Sequence, residues 1–235
     1  MTEMTDTRAD STRQQILRAA AHQFARRPYH QVGLDDVLAE AELTKGAMYF
    51  HFRSKHALAL AIIDDQTTKS TEAVADLLAR KFSGLETLID FSYQLAVRDI
   101  SDDICRAALH LLESIGRIED LQATSLKAWT DTLAQTVQRA IGEGDVYEDS
   151  DPQDVGRLLV SIYMGLRQAS NLDEPGRFLH DLESTWALTL PGFVRPDRID
   201  YFRQFIKRRT NIASGSTAAL AGSMLSLGRS PAGDR

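Results

Sequence analysis

The stretch from Leu43 to Lys55, LTKGAMYFHFRSK, constrains this chain more than any other. Thr44 is placed to cap a short helix, because its hydroxyl accepts a backbone N–H that has no partner inside the helix. Met48 and Phe52 stand four residues apart and form one apolar stripe fit for burial. The other stripes pair Lys45 with Tyr49 and Ala47 with His51, beside Gly46. A cation, a phenol, a methyl and an imidazole make a poor core face but a good face for nucleic acid. Lysine and tyrosine reach phosphates, glycine and alanine let the backbone come close, and threonine or histidine touches base edges. Phe50 lies on the same turn, and packing against a neighbouring helix is its other reading. Ser54 caps the next helix, with Lys55 at the first position, where an anion meets both an ammonium and a helix N-terminus. The expected DNA-contacting set is Thr44, Lys45, Gly46, Ala47, Tyr49, Phe50, His51 and Lys55.

Upstream, Ile16, Ala20 and Phe24 repeat every four residues with Leu17 alongside, which predicts a helix from about Ser11 to Arg27 with one buried face. Leu34, Val37, Leu38 and Ala41 predict a second, short helix. Two short helices joined by a turn this tight are the sequence form of a helix-turn-helix, and a three-helix bundle with no DNA role is the alternative. Residues 1–10 read as a loose arm, in which Arg8, with Arg13 beyond it, either reaches phosphates or belongs to a solvated tail.

The run Thr44-Lys45-Gly46-Ala47, Tyr49-Phe50-His51-Phe52 and Ser54-Lys55 resembles the recognition helix of the TetR family of one-component bacterial regulators, and the likeness extends back to Thr12. Three positions depart from that pattern. Pro28 stands where a glycine usually follows the first helix, Gly33 where a Ser or Thr usually caps the second, and Glu42 where a glycine usually makes the turn. A positive φ at Glu42 would cost on the order of 1 kcal/mol, and its carboxylate is expected to point away from DNA.

Beyond Lys55 the periodicity stays helical. Leu58, Ile62, Ile63, Val74, Leu77 and Leu78 predict one long helix to about Lys81, a mechanical link between head and body. Further helices are expected to about Asp99, over 104–115, 122–141, 152–171, 174–190 and 196–209, with no strand-like alternation. The expected fold is all-α: a three-helix DNA-binding domain over 1–56, a helical ligand-binding and dimerisation domain over 57–210, and an unstructured Ser/Gly/Ala-rich tail over 211–235. The helices over 152–171 and 174–190 are broad in apolar surface. They are expected to pair with their counterparts in a second subunit as a four-helix interface, an internal hairpin being the other reading.

Composition narrows the function. The chain carries a net charge of −6, yet residues 1–56 hold eight Lys/Arg against seven Asp/Glu, so the acidic excess lies in the C-terminal part. Apolar runs are far below membrane-span length, and the polar N-terminus is no signal peptide, so a cytoplasmic location without membrane attachment is expected. One cysteine, Cys105, excludes an intramolecular disulfide. No histidine pair has metal-ligand spacing, and no nucleophile elbow, Gly-rich phosphate loop or zinc-protease motif occurs. No catalytic residue, metal or cofactor is therefore expected.

The body carries a second resemblance. Ile104-Cys105-Arg106-Ala107-Ala108-Leu109-His110-Leu111, Trp129 with Leu133, and Leu190-Pro191-Gly192 are similar to the γ-butyrolactone receptor branch of the same family, although His110 replaces an arginine common there and Gln122 to Lys127 lacks its prolines. The resemblance implies that Trp129 lines and gates a ligand pocket; a plain core anchor is its other reading. Phe91, Leu95, Leu109, Leu112, Leu133 and Ile162 are the apolar positions expected with it. The resulting expectation is a homodimeric repressor on a near-palindromic double-stranded operator with half-sites ~34–36 Å apart, released by a small amphipathic effector. A xenobiotic- or metabolite-responsive regulator of the same family, and an all-α carrier or enzyme with a merely structural head, stay open.

Overall fold

The computed structural model describes residues 3–117 and 120–227. Helices carry the chain: α1 (Glu3–Arg26), α2 (Leu34–Ala41), α3 (Lys45–His51), α4 (Lys55–Leu78), α5 (Gly84–Ser101), α6 (Asp103–Ile115), α7 (Leu121–Gly142), α8 (Pro152–Ala169), α9 (Pro175–Thr189) and α10 (Pro196–Leu227). No strand forms among the described residues; one isolated antiparallel bridge joins Val146 to Val194. No helix among them is long and apolar enough to cross a membrane.

These helices form two compact units that interleave along the chain. The first holds residues 1–75 and 102–125, the second 76–101 and 126–235. The helices expected in the C-terminal part are thus divided, with α6 and most of α4 grouped with the N-terminal helices. In the first unit Ile16, Leu17, Ala20 and Phe24 bury one face of α1, which packs against α2, α3 and α6. Ile16, Leu17 and Phe24, removed from water, each contribute about 1.5–3 kcal/mol. Asp102 caps α6 by accepting the Ile104 N–H at 2.8 Å, and Asp103 beside it pairs with Arg26 at 2.9 Å. The start of α6 is therefore fixed to the end of α1 although 77 residues separate the partners.

The second unit is centred on Leu85, Leu88, Ile89 and Tyr93 of α5, Phe178, Leu179 and Leu182 of α9, and Phe202, Phe205 and Ile206 of α10. Glycine lets α7 approach its neighbours. A Cβ at Gly84 would lie 2.6 Å from the Ala140 nitrogen, and one at Gly156 would lie 2.9 Å from the Thr130 carbonyl, separations real side chains do not tolerate. Along α10, the Tyr201 hydroxyl donates to Glu86, Arg209 pairs with Asp90, and Thr210 hydrogen-bonds Tyr93 at 2.7 Å, so α10 lies along α5.

Two expectations are corrected. The loose arm is helical from Glu3, continuous with α1; residues 3–10 contain neither proline nor glycine to stop the helix. The tail expected to be unstructured is helical as far as Leu227. The α10 stripe of Phe202, Ile206 and Thr210 continues into the tail as Ala213 and Thr217, all buried, so packing carries the helix past a composition that reads as flexible. Residues 228–235 lie outside the described residues.

Candidate functional site

The turn before α3 is built from backbone and one glutamine. Glu42 adopts the left-handed conformation, φ 52° and ψ 39°, and is exposed. Its carboxylate position keeps the strained φ that the sequence anticipates. Gln15 of α1 donates from Nε2 to the Ala41 carbonyl at 2.7 Å, and the Leu43 N–H reaches Leu38 O at 3.2 Å. Thr44 caps α3, its hydroxyl accepting the Ala47 N–H at 3.3 Å. Ser54 caps α4 in the same way through Ala57 at 3.0 Å.

With Met48 and Phe52 buried, the rest of α3 faces outward. Thr44, Lys45 and Gly46 are exposed, and Ala47 and His51 partly so. Tyr49 is 54% exposed and Phe50 80%. An aromatic ring left in water has no role in the unit's own core, which removes the packing reading of Phe50. Its ring meets the His51 imidazole edge-on at 5.0 Å, fixing two adjacent rings on one surface. Lys45 pairs with Asp35 of α2 at 2.9 Å, and that hydrogen bond holds its ammonium above the ordinary lysine range. The face that sequence predicts for DNA is brought together from Thr44 to His51.

Lys55 is placed differently. Its ammonium donates to the Tyr29 and Val32 carbonyls, each at 3.0 Å, and lies 4.3 Å from the centre of the Tyr29 ring. The cation expected to meet a phosphate instead clasps the loop between α1 and α2, where the Tyr29 carbonyl also accepts the Val32 N–H at 3.4 Å. Arg13, also expected to reach phosphates, stacks its guanidinium over Phe52 at 5.4 Å. The Arg8 side chain lies outside what the structure describes. Sequence reasoning missed Asp35, ten positions before Lys45; its exposed place in the first turn of α2 was the available signal.

The residues expected around an effector are split between the units. Leu109 and Leu112 are buried on α6 in the first unit. Phe91 and Leu95 on α5, Trp129 and Leu133 on α7, and Ile162 on α8 belong to the second, all partly buried. Leu95 and Leu133 pack against that unit's core. The two tryptophans differ: Trp186 is buried and donates its indole N–H to Ser92 at 2.8 Å, while Trp129 keeps an accessible side.

The second unit also encloses a charged cluster that no sequence pattern announced. Asp99 of α5 is fully buried, accepting from the Tyr163 hydroxyl at 2.7 Å and facing Arg167 at 3.4 Å, both on α8. On the outer surface Leu158 of α8 and Leu188 of α9 are exposed, the latter 82% so, while Leu159 packs against the unit's own core.

Known proteins are similar to this chain in sequence and fold. The family described as bacterial regulatory proteins, tetR family, matches residues 16–62, and the tetracyclin repressor-like C-terminal domain matches residues 82–195. The A-factor receptor protein of Streptomyces griseus is 28% identical over 197 residues, which is 83% of this chain and 68% of that protein. A crystal structure of a gamma-butyrolactone receptor, ArpA-like, is 30% identical with a TM-score of 0.77, covering 87% of this chain and 98% of that one. CprB of Streptomyces coelicolor, solved with its biological operator sequence, is likewise 30% identical over 87% of this chain and 98% of its own, with a TM-score of 0.76. The outward face of α3, the helical units and these likenesses together make the chain a member of the TetR family, a DNA-binding transcriptional regulator and not an enzyme.

Proposed function

We propose that the protein is a homodimeric repressor that leaves a near-palindromic operator when a small amphipathic signal of γ-butyrolactone type binds its helical body. The observation that carries this reading is the exposed set Lys45, Tyr49, Phe50 and His51 on one short, capped helix, on a chain similar in fold and sequence to receptors of that signal class. Thr44, Lys45 and Tyr49 hold phosphates or base edges, Gly46 and Ala47 allow close approach, and Phe50 and His51 supply apolar and polar contacts in the major groove. Lys55 contributes by fixing the loop before α2, not by meeting the phosphate itself. The dimer forms through α8 and α9, where Leu158 and Leu188 are already presented to solvent. The effector contacts Trp129 together with Phe91, Leu95, Leu133 and Ile162, all within the second unit. The protein works in the cytoplasm, where its DNA is.

Release requires that the effector bind one conformation better than the other; equal affinity for both would shift nothing. A gel shift with DNA from upstream of the protein's own gene, with and without a synthetic γ-butyrolactone, tests the reading. Retardation that the lactone abolishes is the expected result. Retardation that the lactone leaves intact would remove the signal class while keeping the DNA role, and no retardation of any upstream fragment would remove the repressor itself.

A further inference from the structure

The face that reads DNA carries an acid within reach of its principal cation. Asp35 and Lys45 meet at 2.9 Å with side chains 77% and 69% exposed, so water and ions have full access to both partners. The neighbouring acid has a different occupation: Asp36 accepts the Gly33 N–H at 2.9 Å and the Arg27 guanidinium at 3.1 Å, and thereby caps α2. Asp35 takes no part in that cap. Instead it stands with Lys45 and Tyr49 around a groove of about 230 Å³ between α2 and α3, on the same side as the expected phosphate contacts.

We infer that Asp35 is a built-in competitor for the operator phosphate: it holds the Lys45 ammonium when no DNA is bound and must be displaced before Lys45 reaches the backbone. The inference rests on the reading that Lys45 contacts phosphate. Its consequence follows from ion exchange. A lysine that meets a phosphate releases close to one condensed counterion, about 0.9 per contact for duplex DNA. Here the freed Asp35 takes up a cation from solution in the same step, so the net release is smaller and binding is both weaker and less sensitive to salt. Because the exchange involves phosphate and no base edge, it lowers affinity for every sequence by the same factor. Asp35 thus sets how tightly the protein holds DNA and leaves unchanged where it binds, which keeps the complex within reach of an effector's limited coupling free energy.

The test uses the full-length protein and two duplexes, the upstream DNA and one of random sequence, titrated between about 50 and 200 mM salt. Asp35→Asn is expected to tighten binding to both by about two- to five-fold, the range of an exposed ion pair, and to steepen the salt slope by up to about 0.9. Asp35→Glu keeps the charge and is expected to bind as the wild type. In a Lys45→Ala background the gain from Asp35→Asn is expected to vanish. Unchanged or weaker binding by Asp35→Asn at an unaltered melting temperature overturns the inference, as does an equal gain from Asp35→Glu. A gain that survives in full without Lys45 also overturns it, since simple repulsion would then suffice. If Lys45→Ala alone weakens binding while Asp35→Asn changes nothing, only this inference falls; if Lys45→Ala binds as the wild type, the phosphate reading falls with it.

Discussion

The two compact units use charge in opposite ways. Among the described residues, the first buries no charged side chain, with Gln66 as its one buried polar residue, and exposes Tyr49 and Phe50. The second buries Asp90, Asp99, Asp145 and Arg167. A charge at the surface is available to a partner, whereas a charge in the interior is stable only if its neighbours stay where they are. The first unit therefore keeps its charges available to a partner, whereas in the second unit ion pairs tie helices to one another.

The largest effect should come from breaking one of those interior pairs. Asp99→Ala leaves Arg167 buried without its carboxylate and Tyr163 without its acceptor, a cost of about 3–5 kcal/mol that lowers the melting temperature by roughly 10 °C. Pairing Asp99→Leu with Arg167→Met should recover most of that loss, and a double variant as unstable as the single one would show that the charges are not the cause.

The tryptophans sharpen the same contrast within the second unit. Trp186→Ala should cost about 3–5 kcal/mol of stability, visible in chemical denaturation. Trp129→Ala should leave stability nearly unchanged but demand far more effector for release; a destabilised Trp129→Ala protein with a normal dose-response would make Trp129 a core residue.

At the outer surface, Leu188→Arg places a charge where a second subunit is expected, at a cost of several kcal/mol if it is buried there. Sedimentation should then show monomers, and dimers persisting at micromolar concentration would locate the interface elsewhere. For the first unit, Lys45→Ala should weaken binding to all DNA about equally and lower the salt slope, by about 0.9 in an Asp35→Asn background and by less with Asp35 in place. A sequence-selective loss with the slope unchanged would give Lys45 a base contact instead. The smallest effect belongs to Glu42→Gly, which relieves the positive φ and should raise stability by up to about 1 kcal/mol, read from the denaturation midpoint.

Sequence alone shows the recognition helix almost completely, because its determinants are local. Thr44 and Ala47, Ser54 and Ala57, and Met48 and Phe52 are three or four residues apart, a spacing helix geometry fixes in advance. The rest depends on partners far away in the chain. Lys55 and Tyr29 are 26 residues apart, and Asp99 and Tyr163 are 64 apart; nothing in the local pattern of either residue names the other. Residues 211–217 mislead for the same reason, since their Ser, Gly and Ala content describes an isolated peptide, while the α5 and α9 surfaces that α10 packs on lie elsewhere in the chain.

The place of α10 also sets a schedule for the protein's birth. Every segment of the first unit has been synthesised by residue 125, but the second unit's core is incomplete until Phe202, Phe205 and Ile206 of α10 exist. At about 5–20 residues per second, roughly 4–16 s pass between those points. During that time the DNA-reading part of a nascent chain can already be folded, while the apolar faces of α5 and α9 await their last partner and depend on the ribosome's surroundings, or on chaperones, to stay apart from those of neighbouring chains.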